Sequence, residues 1–208
     1  MTIPFDSMES SVKNVTAVIL AGGRSVRFGS AKGLAVWRGR PLVDHVLERL
    51  PRDRAATVLV IRREQDDGTW PGVPIVHDDP GLGDGPLRGL VGGLAACRTQ
   101  WAWVVACDQP LVSGDLLSGL LDAATLDDRA LIPEWDGRLQ PLTGLYAVAA
   151  GSLLAACASV RSLSVITALN RIGFRVFAEE ECRRYDRYGA GFLNINRPAH
   201  LAQLDCEK

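Results

Sequence analysis

Short apolar runs of strand length alternate with amphipathic helical segments along this chain, and that alternation restricts it to an α/β architecture. The first run, Val15-Thr16-Ala17-Val18-Ile19-Leu20, is rich in β-branched residues and ends at Gly22-Gly23. Continuous apolar character over such a length is what a strand buried on both faces needs. TVLVIR (57–62), PIVHD (74–78) and WAWVVAC (101–107) repeat the pattern, and ALIPEW, PLTGLYAVAA, FRVFAE and the FLNIN strand (192–196) extend it. Between them, PLVDHVLERL sets Leu42, Val46, Leu47 and Leu50 at helical spacing behind Pro41. Proline suits a first helical position because its missing N–H would be unpaired there anyway. Further helices are predicted from about Pro86 to Arg98, over 113–124 with Ser113 as N-cap, and in LLAACA and SVITALNRI. The expectation is a single α/β domain over 14–208, with a mostly parallel sheet and helices on both faces, preceded by a frayed leader at 1–13. Sheets of this kind bind ligands at the carboxyl ends of their strands, so binding residues are expected in the loops there.

Composition narrows the partners. With 47% apolar residues and a formal charge of -1 over 208 residues, the chain lacks the basic excess of a general nucleic-acid binder. No run approaches the roughly 20 apolar residues of a membrane helix. The opening MTIPFDSMESSVKN has neither the basic nor the apolar region of a signal peptide. Five cysteines, an odd number with no CxxC pair, fit reduced thiols and a cytoplasmic location. The three histidines are scattered, against any metal site built on them.

The loop after the first strand, residues 20–33, reads LAGGRSVRFGSAKG and holds four glycines. It is neither a Walker A loop nor G-x-G-x-x-G. It nevertheless has what a polyphosphate site needs: glycines that let backbone N–H groups approach oxygens, with Arg24, Arg27 and Lys32 as charges. From Asn14 to Val43 there are five cations and no acid. In a nearly neutral chain such a one-signed stretch focuses field on an anionic ligand. Asp108, where the apolar run 101–107 stops, would face that crevice, and one or two carboxylates plus substrate phosphates suffice to hold Mg²⁺.

The pattern L-A-G-G-x-S-x-R-F-G-x-x-K resembles the signature loop of the molybdenum cofactor guanylyltransferases and their nucleotidyltransferase relatives, and the resemblance extends from about Thr16 to Leu204. It implies a Rossmann-like domain of the nucleotide-diphospho-sugar transferase type. It also implies that Leu20, Ala21, Gly22, Gly23 and Lys32 bind a nucleoside triphosphate. Asp78 and Gly85 reproduce the family's offset between a strand-end Asp and a G-P-L-x-G helix start. CDQP (107–110) resembles the family's C-D-x-P, whose Asp binds Mg²⁺. FLNINRP resembles its N-[IV]-N-x-P, so Asn194 and Asn196, on one face of a strand, would meet the metal's water shell or the acceptor phosphate.

The implied reaction transfers GMP from GTP to the phosphate of Mo-molybdopterin and releases pyrophosphate, with Arg27, Lys32 and Asp108 as catalytic residues. A molybdoenzyme or its chaperone would receive the product. Ala31 stands where the family often has Asp, and Gln109 where Thr is commoner. Gln140-Pro141 stands where His-Pro is frequent, and 57–63 lacks a strand-end Asn found in many guanylyltransferases. Cytidylyl transfer to the same cofactor, transfer to another phosphorylated acceptor, and a non-catalytic nucleotide-binding paralogue are the alternatives.

Overall fold

The computed structural model describes residues 15–22, 32–51, 53–62, 72–77, 79, 85–158 and 163–196; the expected leader and the 23–31 part of the first loop lie outside them. In chain order the strands are β1 (Val15–Leu20), β2 (Val36–Trp37), β3 (Arg40–Pro41), β4 (Ala55–Arg62), β5 (Ile75–His77), β6 (Trp101–Ala106), β7 (Ala130–Trp135), β8 (Arg138–Leu139), β9 (Thr143–Ala147) and β10 (Arg175–Phe177). The helices are α1 (Leu42–Arg49), α2 (Pro86–Ala96), α3 (Gly114–Ala123), α4 (Gly151–Ala158), α5 (Val165–Ile172) and α6 (Glu179–Cys182).

The main sheet runs β10-β7-β9-β6-β1-β4-β5, with β8 hairpinned onto β7. β1 lies in its interior and pairs in parallel with β4 and β6. Its side chains divide by alternation. Val15, Ala17 and Ile19 join the core under α1 and α3, while Val18 and Leu20 join the core under α2, α4 and α5. That double burial explains the uninterrupted apolar run. Complete burial of Val15, Val18 and Ile19 contributes about 1.5–3 kcal/mol each. Thr16 is the polar exception, and its hydroxyl is satisfied 2.8 Å from that of Thr99.

The sheet is mostly parallel, as expected, with one strand reversed. β9 inserts antiparallel between β6 and β7. The reason is local: Asp136 and Gly137 both have positive φ, 51° and 64°, so the chain reverses in a two-residue turn after β7. With so short a connection the next long strand must return in the opposite direction. Arg38 and Gly39 make the same kind of turn between β2 and β3, with the Arg38 guanidinium 4.6 Å from the centre of the Trp37 ring. Helix α1 begins at Leu42, Pro41 being the last residue of β3 rather than the first of the helix. Ser113 caps α3 as expected, its hydroxyl accepting from the Leu116 N–H at 3.1 Å. FLNIN is not a strand. A single 3-10 turn (Ala190–Phe192), held by Asp186 on the N–H groups of Ala190 and Gly191, takes up its start, and the Phe192 and Leu193 N–H groups go to the Gly189 and Ala190 carbonyls rather than to a neighbouring strand.

At the far edge, Arg175 on β10 donates to both carboxylate oxygens of Asp128, at 2.9 and 2.7 Å. These bonds hold the Asp128 carboxyl down at about 2. Since the unfolded value is about 3.9, the pair stabilises the fold above roughly pH 4 and loses that contribution as pH falls towards 2. Thermal melts of Asp128→Asn and the parent should therefore differ at pH 6 and converge near pH 2. A deficit that stays constant over that range would exclude the ion pair as its cause.

Candidate active site at the carboxyl edge

The carboxyl ends of β1 and β6 lie side by side, Leu20 opposite Ala106. The Cys107 N–H continues the ladder by donating to the Leu20 carbonyl at 3.1 Å. Asp108 therefore leaves the sheet immediately beside Ala21 and Gly22, as the parallel geometry requires. The turn that carries it is closed by the Gln109 N–H donating to the Ala106 carbonyl at 3.2 Å.

The first loop returns to this same edge. Lys32–Leu34 forms a single 3-10 turn, and Gly33 sits so close that an added Cβ would lie 3.4 Å from the Ala21 Cβ and 3.7 Å from that of Cys107. The main chain of Lys32 is thus brought to the strand ends that carry Asp108. The Gly33 position admits no larger side chain easily, since Val43 Cγ2 would be only 2.8 Å away. After this turn the β2–β3 hairpin folds over a small cluster in which Ala35, Trp37 and Leu42 surround Ile195. His45 secures it from α1, its Nε2 2.8 Å from the Trp37 carbonyl oxygen; only a protonated Nε2 satisfies that acceptor.

Asn194 and Asn196 reach the edge through Ile195. The Ile195 N–H donates to the Asp108 carbonyl at 2.8 Å while its side chain is buried, leaving both asparagines exposed on either side of it. They sit next to Asp108 although the strand expected to carry them does not form. The Asn194 amide also donates to the Phe192 carbonyl at 3.2 Å. On the other side of β1, Gly85 precedes α2 with φ 117°, a conformation open to glycine, and Pro86 occupies the first helical position. The β5–α2–β6 connection puts that helix start at the carboxyl edge too. Gly23, Arg24, Arg27 and Asp78 lie outside the described residues, as does the side chain of Lys32.

Two features have no signal in the sequence. One is the backbone bond from Ile195 to Asp108 that anchors the closing segment. The other is the buried pair Gln109–Thr143, in which the threonine hydroxyl donates to Gln109 Oε1 at 2.6 Å. Burial pushes the Cys97 and Cys182 thiols up to about 11 and 12, away from reactivity. Among the described residues no group of three or more His, Cys, Asp or Glu side chains could hold a metal. What the edge does offer is half-buried Asp108, with the exposed Asn194 and Asn196 on either side of the residue that bonds its carbonyl. An oxygen-only donor set with one carboxylate suits a magnesium ion completed by substrate phosphates, and suits zinc poorly.

A cavity of about 280 Å³ lined by Asp127, Asp128, Arg129 and residues 172–175 lies at the opposite edge, where β7 and β10 begin. Of its charges, Arg175 and Asp128 are committed to each other and Arg129 to the Ile172 carbonyl. It takes no part in the site. No helix among the described residues is long and apolar enough to cross a membrane.

Known proteins resemble the chain over most of its length. A probable molybdenum cofactor guanylyltransferase of Bacillus cereus (strain ATCC 10987 / NRS 248) is 28% identical over 189 residues, 89% of this chain and 93% of the relative. The crystal structure of molybdopterin-guanine dinucleotide biosynthesis protein A from Archaeoglobus fulgidus superposes with a TM-score of 0.76 at 24% identity, covering 90% of this chain and 95% of that one. The 2-C-methyl-D-erythritol 4-phosphate cytidylyltransferase of Thermus thermophilus superposes at 0.64 and 18% identity, over 89% and 95% of the two chains. The fold is therefore the nucleotide-diphospho-sugar transferase type expected from the sequence. Residues 17–173 match the MobA-like NTP transferase domain, which takes in the central strand, the returning loop and the Asp108 edge alike, and the chain belongs to that family of nucleotidyltransferases.

Proposed function

We propose that this protein transfers GMP from GTP to the phosphate of Mo-molybdopterin, releasing pyrophosphate. The observation that carries the reading is the close approach of Gly33 to Ala21 and Cys107, which brings the end of the first loop to the strand ends beside Asp108. The name of the Bacillus relative supports the choice of base and acceptor.

In this reading Leu20, Ala21, Gly22 and Gly23 admit the nucleotide closely, and Asp78 and Gly85 line its other side. Lys32 and Arg27 neutralise the departing pyrophosphate. Asp108 would hold Mg²⁺, which when bound draws developing charge from the phosphate oxygens. Asn194 and Asn196 face the acceptor phosphate or the metal's water shell. The chain supplies position and charge rather than a covalent intermediate, because in-line attack at the α-phosphorus needs little else. The reaction takes place in the cytoplasm, and a molybdoenzyme or its chaperone receives the product.

Thermal stabilisation by each of the four nucleoside triphosphates, with and without Mg²⁺, tests the reading. A ligand at one hundred times its Kd stabilises by about 2.7 kcal/mol, so the preferred base should stand clear of the others. GTP with Mg²⁺ is expected to give the largest shift, and pyrophosphate should appear only when Mo-molybdopterin is added. A larger shift with CTP would replace guanylyl by cytidylyl transfer. A GTP shift with no pyrophosphate would reduce the protein to a nucleotide binder.

A further inference from the structure

We infer that Gln109 and Thr143 form a positioning pair that sets the carboxylate of Asp108 for a divalent cation, a role that rests on the proposed function. Asp108 is carried on a short turn whose main-chain anchors include the Cys107 N–H on Leu20, the Asp108 carbonyl under Ile195 and the Gln109 N–H on Ala106. These tie the turn to β1, to the closing segment and to its own strand. None of them ties it to β9.

The Gln109 side chain does. Gln109 is 2% exposed and Thr143 fully buried, and their 2.6 Å hydrogen bond joins the residue after Asp108 to the first residue of β9. The Thr143 N–H in turn donates to the Gln140 carbonyl at 3.1 Å, and the Ala106 N–H to that of Leu142 at 2.9 Å. One buried side-chain bond therefore couples the Asp108 turn to the 140–143 bend that follows the β7–β8 hairpin.

Burial makes this bond hard to replace. Removing only the hydroxyl leaves Gln109 Oε1 without its donor in a dry site, and a small rotation of the turn to find another donor would carry Asp108 with it. The effect should fall on cation binding and leave metal-free nucleotide binding alone.

The test measures the Mg²⁺ concentration that half-saturates thermal stabilisation by GTP, alongside pyrophosphate release. Thr143→Val should raise that concentration about tenfold, while the shift with GTP alone is unchanged. Thr143→Ser, which keeps the hydroxyl, should return it to within about twofold of the parent. Gln109→Leu/Thr143→Val removes both polar groups and should recover melting temperature without recovering the cation response. That double variant also serves if Thr143→Val alone fails to fold. Folded Thr143→Val or double variant with the parent's Mg²⁺ dependence would overturn the pairing. A parent whose GTP stabilisation ignores Mg²⁺ would instead overturn the proposed function.

Discussion

Asp108→Asn should slow pyrophosphate release by about 10²–10³-fold while leaving the protein folded. The separation of these effects follows from how the residue is used. Its backbone carbonyl accepts the Ile195 N–H, a contact that any residue at this position supplies. The amide is nearly isosteric with the carboxylate, so the half-buried site keeps its shape. What disappears is the negative charge that a hard cation needs from the protein when substrate phosphates provide the remaining oxygens. The variant should melt within a few degrees of the parent and should still be stabilised by GTP without metal. Its response to added Mg²⁺ should weaken sharply. Undiminished turnover in a folded Asp108→Asn protein would remove the metal role and, with it, the assignment of this edge as the reacting centre.

Much of this arrangement was legible in the residues. A strand buried on both faces must read as a continuous apolar run, and Val15–Leu20 and Trp101–Ala106 do so. The loop and carboxylate at their ends then share an edge by topology alone. The reversal at β9 was also written in the chain, since Asp136-Gly137 between apolar strands is a strong hairpin signal, but alternation with helices masks it in favour of a parallel reading. The closing segment misled for a different reason. Its period-two pattern does place Ile195 inward and the two asparagines outward, yet the segment pairs with no strand among the described residues. Its N–H groups go instead to the carbonyls of Gly189, Ala190 and Asp108, from Phe192, Leu193 and Ile195 in turn. Long-range partners of this kind, like the bond from Thr143 to Gln109 across 34 residues of chain, leave no local pattern to read.

Gly189→Ala should be the most damaging small change in that closing segment. Gly189 is buried with φ 70° and ψ 23°, the left-handed region, where a Cβ costs about 1 kcal/mol. Its Cβ would also lie 2.0–2.3 Å from three atoms of the Trp135 indole. The indole has little room to withdraw: Phe192 stacks on it at 5.3 Å and the Arg183 guanidinium lies 4.5 Å from the ring centre. Overpacking of a held ring adds about 1–3 kcal/mol, for a total of about 2–4 kcal/mol and a fall in Tm of roughly 5–15 °C. Because Phe192 leads directly to residues 194–196, catalytic activity should fall along with stability even below the melting range. Trp135→Leu, costly alone, should absorb much of the collision, so the double variant ought to be more stable than the sum of the two single losses allows. Strict additivity in that cycle would mean that Gly189 and Trp135 do not meet, and the path from the β7–β8 hairpin to the asparagines beside Asp108 would have to run through other residues.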